Sequence, residues 1–316
     1  MRPIILIIFL LSCSHNNKTV IAHRGASGYL PEHTLSAAAL AHGFNVDYVE
    51  ADIVVTKDSI PIVLHDITLN STTDVAKKFP DRKRVDGKHY AIDFTLNEIK
   101  QLRVSERIAG GSLRFANRFP FGYSNFTVPT LAEFIQLVEG LNKTRRKKIG
   151  IYPEIKNPRF HQRHQKDISQ IVLAILSQLD PNTPLILQCF DFSEIKRLRI
   201  ELGFQGDLIQ LIGDNSWPDA PSDFSYLTSE RGLAELSKHV DGLGVWIGHL
   251  KGTKGKYLVH LAKKHGLIIH GYTFRLDALP KGDSEVKLLD FLFEELEIDG
   301  LFADQPDIVM GYLNRN

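Results

Sequence analysis

The sequence predicts an α/β protein whose parallel strands close into a (β/α)8 barrel, the TIM-barrel architecture. Short β-rich runs alternate with helical patterns along most of the chain, and about eight such units are present. No dinucleotide-binding fingerprint follows the first strand, which weighs against an open doubly wound sheet. The 316 residues, 43% hydrophobic and 24% charged, are enough for one barrel domain with a large core.

The predicted strands are short apolar runs, and amphipathic patterns separate most of them. Two capping boxes, Thr95 with Glu98 and Thr130 with Glu133, predict helix starts between strands. The strand candidates, in chain order, are VIAH (20–23), YVEADIVV (48–55), IPIVLH (60–65), IGIYPEIK (149–156), LILQCF (185–190), LIQLIG (208–213), GLGVW (242–246), LIIHGYTF (267–274) and GLFAD (300–304).

One segment interrupts the alternation of strands and helices. Residues 71–128 are polar and rich in Gly, Arg, Asn and Phe. Connections of this length are usually functional or carry structure of their own. We therefore expect a small inserted subdomain over one mouth of the barrel, within a barrel domain that spans residues 20–316.

The N-terminus has the layout of an export signal. Arg2 precedes an apolar run over residues 4–11, which is too short to span a bilayer. The sequence Leu-Leu-Ser before Cys13 resembles a bacterial lipobox, so we expect residues 1–12 to be cleaved and Cys13 to be lipidated. Residues 13–19 would then form a tether. An ordinary signal peptide cut nearby is the alternative.

The composition excludes two protein classes. Lys and Arg number 38 against 37 Asp and Glu, a net charge of +1, so the strongly basic surface of a nucleic-acid-binding domain is not expected. Cys189 is the only cysteine besides Cys13, which excludes an internal disulfide framework in the processed chain. Its apolar surroundings predict a small core residue rather than a nucleophile.

Charged side chains gather where predicted strands end. Barrel enzymes build their active sites at the C-terminal ends of the strands. Residues i and i+2 of a strand face the same side. Glu50 and Asp52 can therefore point together, and so can Glu154 and Lys156. The residues that converge on this rim are His23, Arg24, Glu50, Asp52, His65, Asp66, Glu154 and Lys156.

This set of side chains predicts metal-assisted phosphate chemistry. Clustered carboxylates raise each other's pKa unless a cation compensates them, and all-oxygen ligands select Ca²⁺ or Mg²⁺ over zinc. A metal beside an arginine and a lysine suits a phosphate, and two histidines can serve as base and acid for displacement at phosphorus. Taken alone, a strand-end histidine is more often a structural hydrogen-bonding group, and an aspartate there is often a helix N-cap.

Five motifs resemble one known family. AHRGASGYLPEHT (22–34), VEADIVVTKD (49–58), PIVLHD (61–66), YPEIK (152–156) and GLFADQPD (300–307) are similar to the glycerophosphodiester phosphodiesterases, especially their exported bacterial branch. The resemblance covers the chain from residue 20 to about residue 313, including FPDR and YAIDFTLNEIK in the insertion. His33 departs from the wider family, which usually has Asn at this position, although the exported branch often carries this His.

The resemblance implies roles for individual residues. His23 and His65 would be the acid/base pair, Arg24 and Lys156 would contact the phosphate, and the metal ligands would be Glu50, Asp52 and Glu154. Because the exported branch is calcium-dependent, one Ca²⁺ is favoured over Mg²⁺. Which histidine is the base, and whether water or the glycerol 2-hydroxyl is the nucleophile, stays open.

The expected reaction is hydrolysis of glycerophosphodiesters to sn-glycerol 3-phosphate and an alcohol. Phe190, Trp246 and Phe274 are candidates for an apolar wall against the glycerol phosphate half, with simple core packing as the alternative. Choline, ethanolamine and glycerol esters should all be cleaved.

Two alternatives and the cellular location complete the expectations. The alternatives are a phospholipase-type phosphodiesterase and a surface lipoprotein with a binding role. Homo-oligomerisation is left open. We expect a periplasmic enzyme or, because Ser14 is not Asp, an outer-membrane-anchored lipoprotein of a Gram-negative bacterium.

Overall fold

Eight parallel strands close into a barrel in the computed structural model, which describes residues 18–217, 220–279 and 282–315. The strands of the described residues are β1 (Thr19–Ala22), β2 (Tyr48–Val55), β3 (Pro61–Val63), β4 (Ile108–Ala109), β5 (Ser112–Leu113), β6 (Gly150–Ile155), β7 (Ile186–Cys189), β8 (Asp207–Ile212), β9 (Gly242–Trp246), β10 (Ile268–Phe274) and β11 (Gly300–Ala303).

The barrel closes because β1 pairs with strands on both of its sides. The order is β1-β11-β10-β9-β8-β7-β6-β2, and β2 returns to pair in parallel with β1. This confirms the predicted (β/α)8 architecture. The expectation of strict alternation is wrong at one place, the run 60–65. There β3 pairs antiparallel with β2, since the few residues between them hold no crossover helix.

Helices connect the barrel strands and cover their outer face. Both predicted capping boxes are present: Thr95 accepts from the backbone N–H of Glu98, and Thr130 accepts from that of Glu133. The helices are α1 (Leu35–Gly43), α2 (Val75–Lys78), α3 (Leu96–Ile99), α4 (Leu131–Arg145), α5 (Pro158–Arg163), α6 (Ile168–Leu176), α7 (Phe192–Ile200), α8 (Phe224–Leu227), α9 (Glu230–Leu236), α10 (Gly252–Lys264), α11 (Glu285–Asp290) and α12 (Pro306–Leu313). Short 3₁₀ turns lie at Pro80–Arg82, Ala91–Asp93, Ile247–Leu250 and Leu276–Ala278, and a π turn at Phe291–Glu295.

The strands alternate between two hydrophobic environments. Their outward residues join the helices in the main core, whereas a smaller cluster fills the barrel interior. Ile21 of β1 and Tyr152 of β6 belong to this interior cluster. His23 lies two residues after Ile21, and Glu154 lies two residues after Tyr152. The strand period of two therefore places the predicted rim residues directly above the interior layer.

The inserted unit has a hydrophobic core of its own. Ile62, Leu69, Phe94, Ile99 and other residues up to Val128 form a cluster separate from the barrel core. Because β3 supplies Ile62, the unit begins with β3, before the expected bound at residue 71. Its β4–β5 hairpin turns at two consecutive glycines, 110 and 111, both with positive φ.

The predicted signal peptide (1–12) and Cys13 lie outside the described residues. Thr19, expected at the end of the tether, is the first residue of β1. Within the ranges that the structure describes, no helix is both long and apolar enough to cross a bilayer.

Candidate active site

The adjacent strands β2 and β6 bring three carboxylates together. Register pairs Glu50 with Tyr152 and Asp52 with Glu154 across adjacent strands. One ligand oxygen from each of Glu50, Asp52 and Glu154 lies within 4.8 Å of the others, and all three side chains are buried. The predicted cluster therefore forms, and it could hold a divalent metal ion.

The charge balance of this cluster fits a cation. Burial and the neighbouring Asp52 raise the pKa of Glu50 well above its usual range. Burial raises the pKa of Glu154 to about 8, although Lys156 acts against it. Asp52 differs, because the charge of Lys156 outweighs burial and holds its pKa well below the usual range. The surroundings therefore balance only part of the negative charge, and three carboxylate oxygens are the ligand type of a hard ion such as Ca²⁺ or Mg²⁺.

A strained turn places Arg24 beside the cluster. Arg24 has φ 59° and Gly25 has φ 79°, and a Cβ on Gly25 would lie 2.7 Å from the carbonyl carbon of Ala37. Only glycine fits there. The backbone N–H of Arg24 donates to Glu50 (2.7 Å), and its Nη1 donates to Glu32 (3.0 Å).

Arg24 keeps at least one further donor for an anion. Its Nε lies 3.4 Å from Asp52 and, among the described residues, has no hydrogen-bond partner although it is buried. Lys156 stands on the other side of the cluster, with Nζ 2.6 Å from Glu154 and 3.5 Å from Asp52. These two cations flank the carboxylates as expected for phosphate contacts, and that role stays a prediction.

His23 is held by a carboxylate at the end of the last barrel strand. Its Nδ1 lies 2.6 Å from Oδ1 of Asp304. Burial, together with the charge of Arg24, lowers the pKa of His23 to about 4, so the ring is neutral near pH 7. With Nδ1–H donating to the carboxylate, Nε2 carries the lone pair that accepts a proton.

His65 has the same arrangement with the aspartate that follows it. Its Nδ1 lies 2.5 Å from Oδ1 of the adjacent Asp66, and about a third of its side chain is exposed. Burial and the charges of Arg24 and Lys156 lower the pKa of His65. The two histidines expected from the sequence therefore each form a pair with a carboxylate.

Several supporting residues escaped the sequence reasoning. His33, with φ 63°, places Nε2 2.7 Å from Asp52, so the departure from the family motif touches a predicted metal ligand. Glu32 joins Arg24 to Arg107. Glu32, His33 and Asp304 lie inside the quoted motifs, which was the available signal. Arg107 lies in the aperiodic insertion, where nothing in the sequence singles it out.

The three aromatic candidates lie in different environments. The Phe190 ring is 5.6 Å from Nζ of Lys156 and 6.0 Å from the ring of Trp217. Trp246 is 41% exposed and packs edge-to-face with Trp217 at 6.2 Å. Phe274 is fully buried in the main core, which is the packing role that was its alternative. Phe190 and Trp246 thus remain at the mouth, joined by Trp217.

Comparisons with known proteins identify the family of the chain. The model of the glycerophosphoryl diester phosphodiesterase family matches residues 23–308. A glycerophosphodiester phosphodiesterase of Haemophilus influenzae is 38% identical over 328 aligned residues, covering 94% of this chain and 90% of the relative.

Solved structures of low sequence identity share the fold. A Silicibacter pomeroyi protein assigned to the same family has a TM-score of 0.71 at 22% identity, with 94% of this chain and 93% of that chain covered. An Oleispira antarctica phosphodiesterase, solved in complex with the product sn-glycerol-3-phosphate, has a TM-score of 0.67 at 21% identity, covering 94% and 96%. The family match spans both histidines and all three carboxylates. The chain belongs to the glycerophosphoryl diester phosphodiesterase family and is an enzyme of that family.

Proposed function

We propose that the enzyme hydrolyses glycerophosphodiesters to sn-glycerol 3-phosphate and a free alcohol, using one divalent metal ion and two histidines. The observation that carries the proposal is that His23 and His65, each paired with a carboxylate, lie at the mouth that holds the three-carboxylate cluster. The Haemophilus influenzae relative is named a glycerophosphodiester phosphodiesterase, and the Oleispira antarctica phosphodiesterase binds sn-glycerol-3-phosphate as its product, which supports the same substrate class.

Glu50, Asp52 and Glu154 would hold the metal ion. When bound, the ion supplies Lewis-acid polarisation of a phosphoryl oxygen. We favour Ca²⁺ over Mg²⁺ because the sequence resembles the exported, calcium-dependent branch. The flexible geometry of an all-oxygen Ca²⁺ site is also compatible with ligands drawn from two strands.

The chain's own cations would bind the phosphate. The ammonium of Lys156 lies beside Glu154, and Nε of Arg24, 3.4 Å from Asp52, has no hydrogen-bond partner among the described residues. They would orient the diester and balance the charge that develops at phosphorus. The bond from phosphorus to the alcohol oxygen breaks, and a bond to the oxygen of the attacking hydroxyl forms.

The two histidines would move the protons. One neutral imidazole accepts the proton of the attacking hydroxyl, and the other, protonated, returns a proton to the leaving alcohol. The anionic diester adds negative charge beside the histidines, which raises the pKa of the one that acts as acid. Asp304 and Asp66 stabilise whichever imidazolium forms.

The alcohol half would face solvent, so that choline, ethanolamine and glycerol esters are all cleaved. Phe190 and Trp246 would contact the glycerol half near Lys156. A strict preference for one of these esters at equal concentrations would contradict this part of the proposal.

The test is release of glycerol 3-phosphate from glycerophosphocholine. We expect release by the calcium-loaded enzyme, loss of release after exhaustive chelation, and recovery on adding Ca²⁺ but less recovery with Mg²⁺. Full activity after chelation would contradict the metal assignment. Faster cleavage of intact phosphatidylcholine would instead identify a phospholipase-type enzyme. Transient appearance of a cyclic glycerophosphate would identify the glycerol 2-hydroxyl as the nucleophile.

We also propose that the enzyme is exported and anchored through Cys13 to the outer membrane of a Gram-negative cell. The apolar run at 4–11 and the lipobox-like residues before Cys13 support this. Two or more acyl chains on one cysteine give stable anchoring, because each buried CH₂ contributes about 0.8 kcal/mol. Cell fractionation of the wild type and of Cys13→Ser tests it. A wild type found entirely in the soluble fraction would contradict the anchor.

A further inference from the structure

Two arginines stand at the base of one hairpin in the inserted unit. Residues 107–118, which we call the arginine hairpin, contain β4 and β5 and the Gly110–Gly111 turn. The backbone N–H of Arg114 donates to the carbonyl of Arg107 (2.9 Å) and closes the base. Arg107 and Arg118 both fold back towards the barrel and are buried.

Arg118 binds the carboxylate that holds the first histidine. Its Nη2 lies 2.7 Å from Oδ2 of Asp304, whose Oδ1 is 2.6 Å from Nδ1 of His23. Nε of Arg118 also binds Asp277 at 2.7 Å. The guanidinium is thus fixed at two carboxylates, and the Asp304 carboxylate in turn fixes the plane and tautomer of the imidazole.

Arg107 does the same for the second histidine. Its Nη1 lies 2.7 Å from Oδ2 of Asp66, whose Oδ1 is 2.5 Å from Nδ1 of His65. The rest of the guanidinium binds Glu32 through two hydrogen bonds of 2.6 and 2.9 Å. Glu32 accepts from Nη1 of Arg24 at 3.0 Å, so Arg107 also restrains the phosphate-binding arginine.

We propose that the arginine hairpin orients both catalytic histidines: Arg118 positions His23 through Asp304, and Arg107 positions His65 through Asp66. The two arginines are positioning residues, because a carboxylate separates each of them from the ring that it orients. The inserted unit is then a part of the catalytic centre rather than only a cover over it. This inference rests on the acid/base roles in the proposed function.

Asp304 and Asp66 differ in how many guanidinium groups hold them. Asp304 has a second guanidinium partner, Nε of Arg275 at 2.9 Å, which comes from the end of β10. Among the described residues, Asp66 has no cationic partner besides Arg107 and His65. Loss of Arg107 should therefore reduce turnover more than loss of Arg118.

The experiment measures kcat and KM for glycerophosphocholine with the calcium-loaded enzyme. We expect kcat to fall about 10²-fold in Arg107→Ala and about 10-fold in Arg118→Ala, as for other misplaced catalytic groups, with KM changed less. Arg84→Ala is the matched control, because Arg84 makes a bidentate pair with Asp93 in the same unit (2.7 Å for both bonds) and contacts neither histidine. It should lower the melting temperature similarly and leave kcat unchanged.

Two readouts separate orientation from simple stabilisation. Millimolar guanidinium should restore part of kcat in Arg107→Ala and none in His65→Ala. In addition, ¹⁵N shifts should show the Nδ1–H tautomer of His65 in the wild type and a mixture of tautomers in Arg107→Ala, because Asp66 then has no guanidinium to hold it. Should the alanine variants not fold, Arg107→Lys and Arg118→Lys retain the charge and most of the volume and should still lose turnover, because an ammonium cannot bind two carboxylates in the same way.

Folded arginine variants with kcat within about twofold of the wild type, or an unchanged His65 tautomer in Arg107→Ala, would overturn the proposed orienting role. A wild type that releases no glycerol 3-phosphate would instead contradict the proposed function. The two failures are therefore distinguishable.

Discussion

Two groups of buried carboxylates share one mouth of the barrel, and their pKa values move in opposite directions. Burial raises the pKa of Glu50 and Glu154 above the usual range. Asp66 and Asp304 are also largely buried, yet their pKa values are held well below the usual range. At Asp66 the effect of burial is outweighed by His65 and Arg107. At Asp304 it is outweighed by His23 and Arg275.

The difference follows from the cationic side chains that contact each carboxylate, and at Asp304 these include Arg275 from the end of β10. Glu50 and Glu154 stand on barrel strands, where neighbouring carboxylates outnumber the cations. Asp66 and Asp304 receive guanidinium groups from the inserted unit, Arg107 and Arg118. The first group therefore has negative charge left for an exogenous cation. The second group is neutralised internally and is free to hold the histidines.

The largest expected effect on turnover comes from the histidines that Asp66 and Asp304 hold. His23→Ala and His65→Ala should each lower kcat by about 10²–10⁴-fold, the range for a lost general acid or base. Both variants should keep the melting temperature of the wild type within a few degrees, because the rings lie at the rim. Steady-state assays and thermal melts check this. A histidine whose removal leaves turnover near normal has no part in proton transfer.

The next largest effect on turnover tests the group with raised pKa values, Glu50 and Glu154. Glu154→Gln should lower kcat about 10²–10³-fold at a fixed Ca²⁺ concentration, because several kcal/mol of metal-dependent charge stabilisation are lost. Part of the activity should return at higher Ca²⁺. Asp66→Asn serves as the control for removing a carboxylate and should leave the Ca²⁺ dependence unchanged. Equal Ca²⁺ dependence in Glu154→Gln and wild type would remove Glu154 from the metal site.

A smaller effect, on stability, comes from Glu106 of the inserted unit. Like Glu50 and Glu154, it has a pKa that burial raises. It is buried, its Oε2 has no hydrogen-bond partner in the described residues, and burial raises its pKa from 4.5 to about 7. Because the folded state binds the proton more tightly, the free energy of unfolding falls as pH rises from about 4.5 to 7 and stays low above it.

Glu106→Gln should remove this fall. The free energy of unfolding of the variant minus that of the wild type should therefore be larger at about pH 8 than at about pH 5, by on the order of 1–3 kcal/mol. The variant thus gains stability relative to the wild type as pH rises. Urea denaturation at both pH values measures the difference. Glu201→Gln, at an exposed position, is the control and should show no such change. A difference that is the same at both pH values would contradict the raised pKa.

The barrel and the central site residues could be predicted from the sequence because strand periodicity governs both. Apolar runs located the barrel strands to within one residue at most ends, and β2 and β9 match their predicted bounds. The rule that C-terminal strand ends share one rim then gathered Glu50, Asp52 and Glu154. Local pattern sufficed because each of these residues belongs to a regular element.

The rest depended on tertiary structure. Arg107 and Arg118 reach the histidines only because a long aperiodic segment folds back over the mouth. Phe274 is a candidate for the apolar wall, and regular strand alternation would place it on the same face as Tyr272. A register shift in β10 between Gly271 and Phe274 breaks the alternation, and the Phe274 ring packs in the outer core. No periodic signal in one sequence reveals either event.

The most direct test of the central claim is calorimetric titration of Ca²⁺ into chelator-treated protein near pH 7.5. The difference between the two carboxylate groups predicts one binding site in the wild type, its loss or strong weakening in Glu154→Gln, and unchanged binding in Asp66→Asn. No binding by the folded wild type, or equal binding by Glu154→Gln and wild type, would contradict the claim that uncompensated charge at the strand ends holds the metal ion.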